Sequence, residues 1–356
     1  MKKNYAVLIL PLVLISMLLG IWTGVTRIGW YQIALPEITG EHGAVIVGSF
    51  LGTLIILERT VTQKKKWLYL MPALSGMSIF FFIAGLPMVA YTFLTIASLG
   101  LVMLFVHFYI KQKENYLLVM LVGAGCWFAG NLIMLIHDLY PLAVYWWVAF
   151  FLLTITGERI ELTRYLPRKE LKSILYTAAN GIFVLGILLP YHSWGRYLVA
   201  FGLLATGIIL LLYDIARKSL KREGLSRYLA IGLLIGYVWL LISGILFAIG
   251  FDHAFGYDAA LHSFFIGFVF SMIFAHGPII LPGVVGLSFK PFHPVLYVWL
   301  GLLHLSLLLR IVADYLMWIE VRMAAGMING IAILAFFISM LVLVKKEKAV
   351  LKQKVN

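Results

Sequence analysis

His42 opens the stretch Glu41-His42-Gly43-Ala44-Val45-Ile46-Val47-Gly48, and His262 lies in Ala260-Leu261-His262-Ser263-Phe264-Phe265-Ile266-Gly267. Each histidine leads into a run apolar enough to cross a bilayer. An ionisable side chain in such a run is rare and marks a functional position by default. Imidazole suits the setting, because its neutral form is cheaper to bury than a charge and its ring nitrogens bind transition metals. Further candidates stand at the far ends of such runs. Glu58 and Glu158 occur in the dipeptides Glu58-Arg59 and Glu158-Arg159, His276 lies toward the end of the His262 run, and His304 sits in Gly301-Leu302-Leu303-His304-Leu305. Carboxylates with imidazoles could hold a second metal, such as copper, or relay protons. Their spacing is not diagnostic, since they come from separate runs. His107 belongs to the same group of buried candidates.

Two residues outside the runs could contact an anionic edge of a bound group: His253, in the loop before His262, and Arg196, near His192. A solvated loop histidine is the alternative for His253. Arg27 and Arg310 are further arginines of this kind. Asp314 lies one turn after Arg310, so a local ion pair is the simpler account of that arginine.

The elements that must position these residues follow from composition. Of 356 residues, 63% are hydrophobic and 12% charged, with a mean hydropathy of +1.00. Soluble domains average about 25% charged residues, so the chain reads as an all-α polytopic membrane protein in one integral membrane domain, 1–356. Continuous rather than alternating apolar runs argue against a barrel. Twelve runs of about 20 residues start near Tyr5, His42, Trp67, Tyr91, Tyr116, Leu142, Ser173, Tyr197, Tyr228, Asp258, Val295 and Met323. Short connections predict one bundle. Met1-Lys2-Lys3 and the apolar run after it resemble a signal peptide, but no small-residue cleavage site follows, so the run is read as the first span. The single cysteine, Cys126, excludes an intramolecular disulfide and a CxxC metal site.

The net charge of +13 could suggest nucleic acid. Its placement gives topology instead. One set of ends carries Lys2, Lys3, Arg59, Lys64, Lys65, Lys66, Lys111, Lys113, Arg159, Arg164, Arg168, Lys169, Lys172, Arg217, Lys218, Lys221, Arg222, Arg227, Lys290, Lys345, Lys346 and Lys348. The other carries little beyond Arg27, Arg196 and Arg322. The positive-inside rule then puts both termini in the cytoplasm and the chain in the inner (cytoplasmic) membrane. His42 and His262 enter from the outer side at similar depth, and each can supply one axial ligand to a haem iron. The other reading is a hydrogen-bonded histidine at each helix entrance. His276, 14 residues after His262, would face within roughly 40° of it on a continuous α-helix.

Glu58-Arg59 and Glu158-Arg159 end the second and sixth runs, and His276-Gly277 ends the tenth. This predicts three pseudo-repeated four-helix units, 1–113, 114–218 and 219–348. Arginines ending helices on the cytoplasmic side, paired with adjacent glutamates, would give the same pattern. Of Trp146, Trp147, Trp194, Trp239 and Trp318, those near helix ends are read as interface-belt residues, with packing against a haem as the lesser alternative. Pro278 and Pro282 end or kink the tenth run. A P-loop, a CxxCH, a Ser-His-Asp arrangement and an HExxH are all absent from the sequence.

Twelve helices in three units, with histidines on the second and tenth, resemble the plan of the catalytic subunit of haem–copper oxidases and nitric oxide reductases. Ala260-Leu261-His262, Gly267, Met272-Ile273 and His276-Gly277 resemble the late helix of the NnrS family, membrane haem proteins linked to nitric oxide metabolism and resistance. The resemblance implies haem b on His42 and His262, with nitric oxide or another diatomic gas as ligand, or electron transfer with a redox partner. The sixth and seventh runs lack the histidines that hold copper in the oxidases, so oxygen reduction is not implied. Two other functions stay open: a cofactor-free secondary transporter, and an accessory subunit of a respiratory complex.

Overall fold

The computed structural model describes residues 5–33, 35–63, 65–163, 169–284, 286–287 and 289–355. Lys2, Lys3, Lys64, Arg164 and Arg168, part of the charge argument above, lie outside them, as does the side chain of His192. Among the described residues there is no strand. Twelve helices are long and apolar enough to cross a membrane: α1 Ala6–Arg27, α2 His42–Val61, α3 Lys66–Ile83, α4 Pro87–Gln112, α5 Asn115–His137, α6 Tyr140–Leu162, α7 Glu170–Leu188, α8 Ser193–Tyr213, α9 Gly224–Ile249, α10 Gly256–Val284, α11 Val295–Tyr315 and α12 Ile319–Ala349. Each starts within four residues of its expected position. The chain is a multi-pass membrane protein. A helix satisfies its own backbone in lipid, which is why so apolar a sequence has this fold open to it.

The polarity of the helices is inside out relative to a soluble protein. On α11, Leu305, Leu308, Leu309 and Val312 are exposed, whereas His304, Ser306, Arg310 and Asp314 are buried. Lipid gives apolar side chains no reason to turn inward, so packing and interhelical hydrogen bonds hold such helices together.

The chain divides into two compact units, Met1–Ile209 and Leu210–Asn356. In the first, α2 packs between α1 and α3. Ser49 and Ser78 hydroxyls lie 2.6 Å apart, and Ser75 donates to the Gly48 carbonyl at 3.0 Å. Asn131 of α5 donates to the Leu94 carbonyl of α4 at 3.3 Å and accepts from Trp147 Nε1 of α6 at 3.1 Å. Trp147 is therefore a buried packing residue, not part of an interface belt. Trp239, in the second unit, is likewise buried, whereas Trp194 and Trp318 are exposed.

In the second unit, α9 to α12 pack together. Ala275 of α10 lies against Gly232 of α9. Phe274 and Phe336 stack at 4.0 Å between α10 and α12. Asn329 of α12 donates to the Leu303 carbonyl at 3.1 Å and to Ser306 at 2.6 Å on α11. Pro278 and Pro282 lie inside α10, which runs on to Val284. Met317, in the three-residue turn between α11 and α12, has φ +57°. That left-handed residue turns the chain sharply enough to face the start of α12 with the end of α11.

Candidate functional site

The two leading histidines each stand at the head of a helix of the same unusual construction. His42 lies in the α-helical turn His42–Ala44, followed by the π-helical stretch Val45–Gly52 and then α-helix again. His262 ends the turn Gly256–His262, followed by the π-helical stretch Ser263–Val269 and then α-helix. π-Helical turns are rare and concentrate at functional sites. A neighbouring serine braces each one. Ser75 bonds the Gly48 carbonyl, and Ser243 of α9 bonds the Ala260 carbonyl at 3.3 Å, which also accepts from Ser263 at 2.8 Å. Each of these carbonyls also accepts a backbone N–H, Gly48 from Thr53 and Ala260 from Ser263, so the hydroxyls add a second bond to it. The π stretch turns less per residue than an α-helix, so the shared face expected for His262 and His276 does not follow.

In the first unit, α1 holds His42. Its Nδ1 donates to the Gly20 carbonyl at 2.9 Å and lies 3.2 Å from Thr23 Oγ1. The Thr23 hydroxyl itself donates to the Leu19 and Gly20 carbonyls, so it accepts from the imidazole. A carbonyl can only accept, so Nδ1 carries the proton and Nε2 the lone pair in the neutral ring. Gly24 makes room: a Cβ there would stand 2.7 Å from His42 Cε1. Glu41, one residue earlier, accepts from Tyr91 of α4 and from Tyr140 of α6, the latter at 2.9 Å. Tyr140 in turn accepts from the Ala44 N–H at 3.3 Å. Arg27 reaches back to the Gly40 carbonyl at 3.3 Å.

In the second unit, His262 Nδ1 donates to the Asp258 carbonyl at 2.8 Å and lies 3.1 Å from Asp258 Oδ1. The tautomer is again the one with its lone pair on Nε2. The other carboxylate oxygen, Oδ2, accepts from Arg310 of α11 at 2.8 Å and from Arg322 of α12 at 3.0 Å. Arg322 Nε also pairs with Asp314 at 2.5 Å, and its guanidinium lies 4.2 Å from the Phe255 ring centroid. The local Arg310–Asp314 pair expected from the sequence is thus replaced. Arg310 bonds across to α10, and Arg322 takes Asp314, because the tight Met317 turn brings α12 alongside.

The remaining candidates are dispersed. Glu158 pairs with Arg59, joining α6 to α2, so the two Glu-Arg dipeptides meet each other. His276 Nδ1 donates to the Met272 carbonyl at 2.8 Å. His304 is buried, with Nε2 3.1 Å from Ser271 Oγ and its ring stacked on Trp239 at 6.3 Å. His107 is exposed on α4. Among the described residues no three of His, Cys, Asp and Glu gather as a metal-binding group. His253 packs on the Tyr315 ring at 4.9 Å and its Nδ1 accepts the Phe255 N–H, while Arg196 bonds Tyr197 at 2.7 Å and lies over its ring.

Gly20, Thr23 and Gly24 were not legible as neighbours of His42, nor Tyr91 and Tyr140 as partners of Glu41, nor Arg322 as a partner of Asp258. The spacing Gly20-x-x-Thr23-Gly24 is a small-residue helix face and could have marked α1 as a close neighbour. Asp258-x-x-x-His262 is an i,i+4 pair, readable from spacing alone.

Two spans of this α-helical membrane protein are headed by a histidine and interrupted by a π-helical stretch. The chain belongs to the family described as domain of unknown function DUF8744, whose family model matches residues 6–345. No curated protein matches it.

Proposed function

We propose that the protein is a haem b-binding integral membrane protein in which His42 and His262 are the side chains that would hold iron, and that it acts on or senses nitric oxide or another diatomic gas, or passes electrons. One observation carries the reading. Both histidines donate Nδ1–H to a backbone carbonyl immediately before a π-helical stretch. That outer hydrogen bond is the usual companion of a metal-ligating histidine, because it fixes the tautomer and raises the basicity of Nε2. The donor set fits haem: imidazoles held near helix starts, with buried apolar neighbours such as Val45 and Phe264. When bound, haem would supply reversible one-electron chemistry and an iron able to take a diatomic gas. The chain's own part is to orient Nε2 and to surround it with apolar helix. Nitric oxide enters through the likeness of the Ala260-Leu261-His262 and His276-Gly277 segments to NnrS proteins. The lysine and arginine distribution puts the protein in the cytoplasmic membrane with both termini inside.

The test is an absorption spectrum of the purified full chain expressed with ample haem, oxidised and reduced, with and without nitric oxide. A Soret band is expected, lost or shifted in both His42→Ala and His262→Ala. A colourless protein would overturn the reading; substrate uptake by vesicles containing that colourless protein would establish a transporter instead.

A further inference from the structure

Two spanning helices of the chain are joined by a short basic connection: α8 ends at Tyr213 and α9 begins at Gly224. It reads Asp214-Ile215-Ala216-Arg217-Lys218-Ser219-Leu220-Lys221-Arg222-Glu223, and Arg227 follows in the first turn of α9. Its backbone is folded into helical turns. The buried Asp214 carboxylate accepts the Ala216 N–H at 2.7 Å, at the head of the turn Ala216–Ser219. The Lys218 N–H then donates to the Ile215 carbonyl at 3.0 Å, Leu220 to Ala216 at 3.2 Å and Arg222 to Ser219 at 3.1 Å. On such turns residues four apart share a face. Arg217 therefore stands with Lys221 and Lys218 with Arg222, while Ile215 stands with Ser219 and Ala216 with Leu220. One face carries four positive charges and the opposite face is mostly apolar. All four cations and Arg227 are exposed, and so are Ile215 and Leu220. Arg217 bonds the Leu212 carbonyl at 3.3 Å. Among the described residues no carboxylate forms a salt bridge with any of the five.

Topology alone does not ask for this arrangement. The positive-inside rule is met by basic residues in any order. Here like charges stand four apart, where they repel, across from exposed apolar side chains. A surface of phosphates over acyl chains relieves both: the phosphates neutralise the basic face, and the hydrocarbon covers the apolar one. Arginine adds a planar fork that matches phosphate oxygens. Because the segment leaves one spanning helix and enters the next, it lies at the depth of the headgroups. We propose that Ile215–Arg222, with Arg227, is a docking surface for anionic phospholipid of the leaflet it adjoins. Arg217, Lys218, Lys221 and Arg222 take the headgroup phosphate, and Ile215 and Leu220 enter the acyl region. This surface stands apart from the haem reading and holds or fails without it.

The experiment titrates the purified full chain, in a neutral detergent, with phosphatidylglycerol and in parallel with phosphatidylcholine, and reads bound lipid by native mass spectrometry. Phosphatidylglycerol is expected to bind more tightly. Changing Arg217, Lys218, Lys221 and Arg222 together to Gln should weaken it at least tenfold, since each basic residue at an anionic surface contributes about fivefold. Arg217→Lys with Arg222→Lys keeps the charge and should retain most of the affinity. Ile215→Ser with Leu220→Ser also keeps the charge, yet should weaken the lipid about threefold or more, because the apolar contact is lost. Thermal unfolding confirms that each variant is folded. Should the fourfold variant fail to fold, Lys221→Gln with Arg222→Gln carries the test, with an expected loss of about fivefold or more. The proposal is overturned if the Gln variants bind phosphatidylglycerol as the unaltered chain does. It is equally overturned if Lys345→Gln, Lys346→Gln and Lys348→Gln together cost as much as the fourfold change, since basic charge anywhere would then suffice. Displacement of the lipid by an equal concentration of inorganic phosphate would assign the surface to a free anion, and displacement by polyglutamate to an acidic protein; either result sinks the lipid assignment.

Discussion

His42 and His262 head helices of one construction, yet the first is seated by volume and the second by charge. Around His42 the limiting quantity is space: Gly24 leaves a gap that the imidazole fills. Around His262 it is electrostatic balance: Asp258 and Asp314 face Arg310 and Arg322, two charges of each sign in the second unit, with Asp314 and both arginines buried and Asp258 partly exposed. A site seated by volume tolerates loss of a hydrogen bond and fails when an atom is added. A site seated by charge does the reverse, because removing one partner leaves the other ion stranded in a medium of low dielectric.

The largest effect should come from stranding a charge. Arg322→Leu takes from Asp314, fully buried at 0% exposure, its hydrogen-bonded ion pair, leaving it only the nearby charge of Arg310, and removes one of the two grips on Asp258. Breaking a buried pair in this way costs about 3–5 kcal/mol. Adding Asp314→Leu to the same chain should recover most of that loss, because the stranded ion is then gone. Thermal unfolding in detergent measures both variants. Should the double variant be as unstable as the single one, the second unit is not governed by charge balance and the contrast with the first dissolves.

Next in size is an added methyl group. Gly24→Ala puts a carbon 2.7 Å from His42 Cε1, and overpacking of this kind costs about 1–3 kcal/mol. Away from such a clash, alanine in a helix is favoured over glycine by up to about 1 kcal/mol. Gly125→Ala in α5 is the control, because a Cβ there meets nothing within 4 Å. Opposite signs are expected in the two variants by chemical denaturation, and equal signs would show that His42 is not limited by space.

Sequence revealed the frame and not the fastenings, for a physical reason in each case. Twelve spans are legible because lipid demands long apolar runs, and His42 stands out because nothing between it and Glu58 is ionisable. The π stretches are invisible: Val45–Gly52 and Ser263–Val269 are apolar on nearly every face, so no period records how the backbone winds. Trp147 was misread because a tryptophan near a helix end is ordinarily placed by depth, while here Asn131 of another helix determines its position. Arg310 was misread because an i,i+4 aspartate is always within view in a sequence, and an aspartate 52 residues away is not.

The smallest effect tests what the two sites share rather than what separates them. Ser75 braces the Gly48 carbonyl at 3.0 Å and Ser243 the Ala260 carbonyl at 3.3 Å. Each serine is fully buried. If the braces do the same job, Ser75→Ala and Ser243→Ala should cost alike, about 0.5–1.5 kcal/mol apiece, the net worth of one buried hydrogen bond. The Ser243 variant should sit at the lower end, since Ser263 also donates to the Ala260 carbonyl and keeps it satisfied. Hydrogen exchange at the amides of the two π stretches is the sensitive readout, because losing a brace lets the stretch open locally before the unit melts. Faster exchange confined to the braced helix supports a common construction; a change in one helix alone would mean that the likeness of α2 and α10 ends at their histidines.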